Sequence, residues 1–153
     1  MRLYLVQHGA ALTKDVDPER PLSDQGRADI SRLAAWLAGA GVSVSEILHS
    51  GKLRARQTAE LLRSVLETDG EMRPAEGLGP NDAAESFLNR LQTVNKDTLI
   101  ASHLPFVAHV LSQAVTGSPQ QPLVEFRPGS IAVVERHESG AWRMICFACP
   151  GFF

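Results

Sequence analysis

The sequence predicts an α/β fold in which helices cover both faces of a mainly parallel sheet. Short apolar runs, typical of buried strands, alternate with segments of helical periodicity along most of the chain. The C-terminal part instead has two alternating segments around a glycine turn, which predicts an antiparallel hairpin. Since 153 residues with 44% apolar and 21% charged side chains suit one core, we expect a three-layer α/β/α arrangement in a single domain over residues 1–153.

The first half of the chain predicts two strand-helix units. Residues 2–6 form a β-branched and apolar run that stops at His8, as a buried strand does when it runs into a loop. Ser23 is a good N-cap for a helix that ends near Gly39 and Gly41. Residues 47–48 predict a weak second strand, followed by a helix from about Lys52. The apolar faces of these helices comprise Ile30, Leu33, Ala34, Leu37, Ala38, Ala55, Ala59, Leu62, Val65 and Leu66.

The second half continues the alternation before it ends in the hairpin. We expect a third strand near Met72, a helix from about Asp82, a strand over 98–101 and a helix that begins near Pro105. Segments 131–135 and 142–147 then flank a turn at Gly140. The apolar face of the helix from Asp82 comprises Ala84, Phe87, Leu88, Leu91 and Val94.

Charge and cysteine usage exclude several classes of function. A formal net charge of −2 leaves no basic surface of the kind that holds nucleic acid. The apolar run that ends at Val6 is too short for a signal peptide, and no 18-residue uncharged apolar segment exists, so we expect a cytoplasmic protein without a membrane partner. Cys146 and Cys149 form a C-x-x-C pair, but they close an alternating segment near the C-terminus and lack a second ligand pair, so we expect neither a redox nor a zinc site there.

His8 and His103 are the strongest candidates for chemistry because both follow predicted strands. In open α/β sheets, ligands bind beyond the carboxyl ends of the strands. We therefore expect both imidazoles to line one crevice. A metal held by this pair lacks a convincing third ligand, so we expect no metal and no cofactor.

Four short motifs give the chain a resemblance to a known family. Residues 5–9 (LVQHG) resemble the strand-to-loop signature of the histidine phosphatase superfamily, in which arginine normally precedes the histidine. Residues 21–26 (PLSDQG) are similar to its second motif and residues 50–59 (SGKLRARQTA) to its third. Residues 102–105 (SHLP) resemble the second-histidine motif of SixA-type phosphohistidine phosphatases. The motifs follow the family order, and the resemblance implies a phosphoglycerate mutase-like fold.

The resemblance also implies a role for each residue of the crevice. His8 is the nucleophile, since a neutral imidazole can attack phosphorus and form a phosphoenzyme. Arg54 is the expected clamp for the phosphoryl oxygens, because a guanidinium matches them bidentately. His103 donates a hydrogen bond to the same oxygens. The phosphate site then comprises Gln7, Gly9, Arg54 and His103, with no metal.

Gln7 is where the sequence departs from the family pattern. It replaces the usual arginine, so the site loses a positive charge and keeps an amide donor. The replacement weakens phosphate binding, alters specificity or marks a protein that has lost turnover. Because charge-assisted hydrogen bonds exceed neutral ones by about 1 kcal/mol, we expect a reaction slowed roughly tenfold rather than abolished.

The remaining titratable residues are weaker candidates. Glu76, Asp82 and Glu85 lie where related enzymes carry a general acid, but no motif includes them, and we expect surface acids. An imidazole leaving group can depart without such an acid, whereas an alkoxide needs a proton. We expect an edge, supporting or exposed position for His49. The other expected positions are structural for His109 and Arg56 and exposed for His137.

These observations predict a phosphohistidine phosphatase. The chain is too short to include the insertions that close over small substrates in larger members, so we expect the substrate to be a phosphohistidine-bearing protein such as a phosphotransfer domain. One alternative is a broad phosphatase of small phosphate esters. The other is a module that binds phosphorylated partners through Arg54 and His103 without turnover.

Overall fold

A computed structural model describes all residues, 1–153. It contains six strands and four helices. The strands are β1 (Arg2–Gln7), β2 (Glu46–His49), β3 (Met72–Pro74), β4 (Thr98–Ser102), β5 (Ile131–Arg136) and β6 (Trp142–Ala148). The helices are α1 (Asp24–Gly39), α2 (Leu53–Arg63), α3 (Ala84–Leu91) and α4 (Phe106–Thr116). None of these helices has the length and apolar character needed to cross a bilayer.

All six strands form one sheet in the order β3-β2-β4-β1-β5-β6. The first four strands of this order are parallel, whereas β5 is antiparallel to β1 and β6 is antiparallel to β5. The predicted α/β fold with a mainly parallel sheet and an antiparallel C-terminal hairpin is therefore confirmed. Because β4 lies beside β1 with Gln7 level with Ser102, the loops that follow these two strands begin next to each other.

The core lies in two layers, one on each face of the sheet. Side chains alternate along a strand, so Leu3 and Leu5 of β1 pack on one side and Tyr4 and Val6 on the other. The first layer includes apolar residues of α3 and α4, and the second includes those of α1 and α2. Each fully buried large side chain contributes about 1.5–3 kcal/mol of transfer free energy. This double burial fixes the strand ends that carry the site.

The loop between β1 and α1 packs closely on the start of α1. Ser23 caps the helix as predicted, since its side chain accepts the N–H of Gly26 at 3.1 Å. A Cβ atom at position 26 would lie 2.0 Å from the carbonyl oxygen of Ala10, so only glycine fits there. Gly26 thus allows the loop after His8 to lie against the helix.

Helix boundaries differ from those that the periodicity predicts, and α3 ends at Leu91, before the Val94 of its predicted apolar face. We expected Val65 on the buried face of α2, but the helix ends at Arg63 and Val65 is 46% exposed. The helix expected from Asp82 begins two residues later, because the Asp82 carboxylate accepts the N–H of Gly79 at 2.6 Å and closes a turn there. Side chains that bond to nearby backbone favour turns over helix interiors.

Candidate active site

His8 lies directly after β1, and each of its two ring nitrogens has a hydrogen-bond partner. Its backbone N–H donates to the carbonyl of Ser102 at 2.9 Å, which extends the β1–β4 pairing by one residue. Its Nδ1 lies 2.7 Å from the carbonyl oxygen of Gly9. Because a carbonyl oxygen can only accept a hydrogen bond, the imidazole proton lies on Nδ1. The other ring nitrogen, Nε2, is then unprotonated and keeps its lone pair. The Arg54 Nε donates to that Nε2 at 3.2 Å.

Helix α2 holds Arg54 through bonds between the helix and the β1–α1 loop. The Thr58 hydroxyl is fully buried, accepts the N–H of Gly9 at 3.1 Å and donates to the carbonyl of Arg54 at 2.8 Å. The Gln57 side chain accepts the N–H of Leu22 at 2.8 Å. Adjacent polar residues of the third motif thus attach α2 to the first and second motifs. The guanidinium is thereby fixed over the imidazole.

His103 lies beside His8, as their positions after β4 and β1 predict. The centroids of the two rings are 4.9 Å apart with an interplanar angle of 62°. His103 is only 3% exposed, and its Nε2 lies 2.6 Å from the Ser50 hydroxyl. Its Nδ1 is buried and has no hydrogen-bond partner in the protein. Buried polar atoms without a partner are uncommon, so this nitrogen is available to a ligand or water.

The site is cationic, and both of its imidazoles are neutral. Burial, reinforced by the charges of Arg54 and Arg20, lowers the pKa of His8 to about 4. Burial likewise lowers the pKa of His103 to about 3, with contributions from His8, Arg54, Lys52 and Arg20. Burial and then the charge of Arg20 lower the pKa of Arg54 from its usual value. Near neutral pH the site therefore offers unprotonated imidazole nitrogens beside fixed positive charge, which suits a phosphoryl dianion.

Gln7 and Gly9 flank His8 and use their backbones to hold it. Gln7 is 7% exposed, and its N–H donates to the carbonyl of Ser130 at 3.0 Å. Its side-chain Oε1 is buried without a partner. Gly9 uses its N–H on Thr58 and its carbonyl on His8. Both bonds orient the imidazole, and phosphate binding by Gly9 and Gln7 stays a prediction.

None of the three candidate acids forms a hydrogen bond with His8, His103 or Arg54. The Asp82 carboxylate accepts the N–H of Gly79, and Glu85 lines a groove that also includes Met1 and His137 from the opposite end of the strands. Glu76 is bonded through its carbonyl to Arg90. After burial, the charges that lower the pKa of His8 are those of Arg54 and Arg20.

Four other side chains occupy supporting or surface positions. His49 is 4% exposed, so its expected alternative as an exposed residue is wrong; its Nδ1 accepts the N–H of Gly51 at 3.1 Å. Arg56 forms an exposed pair with Glu60 at 3.5 Å, as expected of a structural helix residue. His137 is exposed near the hairpin turn, and His109 is half-buried on α4. Neither Cys146 nor Cys149 forms a disulfide.

Sequence reasoning assigned no role to two residues that the structure brings to this site. Ser50 bonds the ring of His103, and Arg20 is close enough to His8, His103 and Arg54 to lower the pKa of each. Only the position of each residue relative to the motifs could have indicated its place in the site. Ser50 opens the third motif, and Arg20 stands directly before the second.

An α/β fold that places two neutral imidazoles after β1 and β4, beside an arginine of α2, is the arrangement that the histidine phosphatase class implies. The model of the histidine phosphatase superfamily (branch 1) matches residues 3–79. Phosphohistidine phosphatase SixA of Escherichia coli (strain K12) is 30% identical over 145 residues, which cover 92% of this chain and 88% of that protein. The chain therefore belongs to the histidine phosphatase superfamily, and it is a phosphatase.

Solved structures show the same fold. The protein histidine phosphatase SixA complexed with tungstate superposes with a TM-score of 0.85 at 27% identity, covering 98% of this chain and 97% of that one. A phosphoserine phosphatase from Entamoeba histolytica in complex with 3-phosphoglyceric acid gives a TM-score of 0.76 at 16% identity, with 98% of both chains covered. The predicted phosphoglycerate mutase-like histidine phosphatase fold is confirmed.

The lowered pKa values predict a loss of stability in mild acid. Between about pH 4 and pH 6.5 the unfolded chain protonates histidines that the folded protein keeps neutral, since the pKa of His8 falls from 6.5 to about 4 on folding. The free energy of unfolding should therefore decrease as the pH falls through this interval. We expect urea unfolding of His8→Gln to show a shallower pH dependence than wild type, whereas His137→Gln should match wild type. Equal slopes in all three proteins would contradict this assignment.

Gln7→Arg tests whether position 7 reaches the phosphate. A guanidinium beside His8 can form two charge-assisted bonds, so we expect inorganic phosphate or vanadate to bind about tenfold more tightly. Turnover need not change in the same direction, because a charge that holds ground state and transition state equally lowers KM without raising kcat. Calorimetry and steady-state kinetics measure the two effects, with Gln120→Arg on an exposed remote loop as control. No change in a folded Gln7→Arg variant would place Gln7 outside the phosphate site.

Proposed function

We propose that this protein hydrolyses phosphohistidine on a protein substrate through a phosphorylated His8. The observation that carries the proposal is the protonation state of His8. Its Nδ1 holds the proton against the Gly9 carbonyl, and its Nε2 presents a lone pair to Arg54. An imidazole held in this tautomer is ready to attack phosphorus without a separate base.

The reaction proceeds in two displacements. The phosphoryl group enters between His8 and Arg54, and its oxygens replace Nε2 as the acceptor of the Arg54 N–H. His8 Nε2 then forms a bond to phosphorus as the P–N bond of the substrate breaks, and the substrate imidazole leaves with a proton that it takes from solvent. Water attacks the phosphorus of phospho-His8, which releases inorganic phosphate and regenerates the free imidazole. Arg54 and His103 hold the phosphoryl oxygens through both steps.

The electrostatics of the site favour phosphohistidine over a phosphate ester. An alkoxide leaving group needs a proton from a nearby acid, whereas an imidazole is a good leaving group once protonated. None of the three candidate acids bonds His8, His103 or Arg54, and Glu85 lines a groove at the opposite end of the strands. The site is therefore suited to a substrate that brings its own protonatable leaving group.

The loops around the site suit a substrate on a protein surface. Only residues 50–52 separate β2 from α2, and only residues 103–105 separate β4 from α4. Neither of these two loops is long enough to close over a small molecule. We expect a phosphotransfer domain to present its phosphohistidine to this site, and this substrate would place the enzyme in the cytoplasm. The relative named phosphohistidine phosphatase SixA agrees with this substrate class.

A substrate panel tests the proposal. Purified protein is incubated with a phosphohistidine-bearing protein, with phospholysine and with small phosphate esters, and the release of phosphate is measured. We expect turnover of the phosphohistidine protein at a kcat/KM well above that of any ester. Turnover of esters alone would favour a broad phosphomonoester phosphatase. Binding of the phosphoprotein without turnover would favour a phosphoprotein-binding module. The observation that favours this alternative is the uncharged Gln7 in place of the usual arginine.

A further inference from the structure

Arg20 has an uncommon backbone conformation for its residue type. Its φ is 54°, and every other residue with a positive φ is a glycine. A side chain with a Cβ rarely adopts this left-handed region, which asparagine tolerates better than most. The surrounding loop therefore holds Arg20 in a specific orientation.

The loop between β1 and α1 closes on itself around this residue. Ala11 and Leu22 form an isolated antiparallel bridge, and the N–H of Leu12 donates to the carbonyl of Pro21 at 2.8 Å. The Arg20 Nε then reaches back across the loop and donates to the carbonyl of Leu12 at 3.2 Å. One side of the guanidinium is thus anchored, while neither Nη atom has a partner in the protein.

The charge of Arg20 is not neutralised by any carboxylate. None of the ion pairs in the structure includes it, and the neighbouring Asp17 carboxylate accepts the N–H of Glu19 instead. Its loop lies against the helix that carries Arg54, because the N–H of Leu22 donates to the Gln57 side chain of α2 at 2.8 Å. The charge of Arg20 also lowers the pKa of both His8 and Arg54. A half-buried, anchored guanidinium without a carboxylate partner, whose charge reaches both imidazoles, is the arrangement that a bound dianion completes.

We propose that Arg20 is the second phosphate-binding cation of this site and supplies the positive charge that Gln7 does not. The inference deepens the proposed function, on which it rests for the nature of the substrate. Arg54 approaches the phosphoryl group from α2, and Arg20 approaches it from the β1–α1 loop. Two guanidinium groups then balance the two charges of the phosphoryl dianion although position 7 is neutral.

Binding of inorganic phosphate tests this assignment without requiring turnover. Arg20→Asn removes the charge and retains a residue that tolerates positive φ, so we expect the Kd of phosphate to rise about tenfold. The Kd of Arg20→Lys should lie between those of Arg20→Asn and wild type, since lysine keeps the charge without the bidentate geometry. Arg27→Asn, which changes an exposed arginine of α1, should match wild type. Should Arg20→Asn fail to fold, Arg20→Gly removes the side chain with no backbone strain.

A double-mutant cycle tests whether Arg20 supplies the positive charge that Gln7 lacks. If Arg20 supplies the missing charge, then Arg20→Asn should cost less than about threefold in a Gln7→Arg background, because the new guanidinium replaces it. Losses that add independently would overturn the compensation. A change below twofold for Arg20→Asn in the wild-type background would overturn the phosphate role itself.

The same measurements separate this inference from the proposed function. A wild type that turns over phosphohistidine while Arg20→Asn leaves phosphate binding and KM unchanged overturns the inference alone. A wild type that fails to hydrolyse phosphohistidine, but loses phosphate affinity on Arg20→Asn, overturns the function and supports the inference. A folded wild type that binds no phosphate at millimolar concentration overturns both.

Discussion

His8→Ala is expected to abolish turnover and to remove any acid-labile phosphoenzyme while leaving the fold intact. The substitution deletes the proposed nucleophile itself, and in covalent catalysis no neighbouring group replaces it. His103 is the nearest alternative imidazole, but it is 3% exposed and its Nε2 is bonded to Ser50. Rapid quenching with a ³²P-labelled phosphohistidine protein, followed by separation at alkaline pH, measures the phosphoenzyme directly.

The matched control for this variant is His137→Ala, because His137 is exposed near the hairpin turn. It should retain wild-type turnover and phosphoenzyme formation. The circular dichroism spectrum and the melting temperature establish that both variants are folded. Substantial turnover by folded His8→Ala would remove His8 from the nucleophilic role and direct attention to His103.

The strand-helix alternation of this chain could be predicted because its signals are local. Buried apolar runs and the Ser23 cap are read from a few neighbouring residues, and both agree with the structure. The end of α2 could not be predicted in the same way. Val65 continues the helical periodicity, but the chain leaves the helix at Arg63 and exposes that side chain. Tertiary packing decides such helix boundaries, and a periodic sequence pattern carries no information about that packing.

The site shows the same division between local and non-local information. Strand ends predict where His8 and His103 lie along the chain. Their contact depends on the insertion of β4 beside β1, with Gln7 level with Ser102, and no local pattern specifies that register. The left-handed backbone of Arg20 and its bond to Leu12 are likewise products of loop closure. Such residues are found only once the backbone path is known.

The third motif, residues 50–59, connects segments that are distant in the sequence. The side chains of Gln57 and Thr58 join α2 to Leu22 and Gly9. Because Thr58 also bonds the Arg54 carbonyl, one hydroxyl links the loop that orients His8 to the helix turn that carries the guanidinium. Displacement of catalytic groups by an ångström is costly, so these bonds are part of the catalytic design.

Arg54→Ala is expected to lower kcat/KM by roughly 10²–10³-fold, because loss of a preorganised charge partner of the transition state typically has that effect. The Arg54 Nε lies 3.2 Å from the His8 Nε2, so a phosphoryl group on that nitrogen must lie against the guanidinium. Arg56→Ala is the matched control, since Arg56 belongs to the same helix but pairs with Glu60 on its exposed face. Steady-state kinetics on a phosphohistidine protein compares the two. A loss below threefold for folded Arg54→Ala would mean that another cation holds the phosphoryl oxygens, and Arg20 would then be the first residue to test.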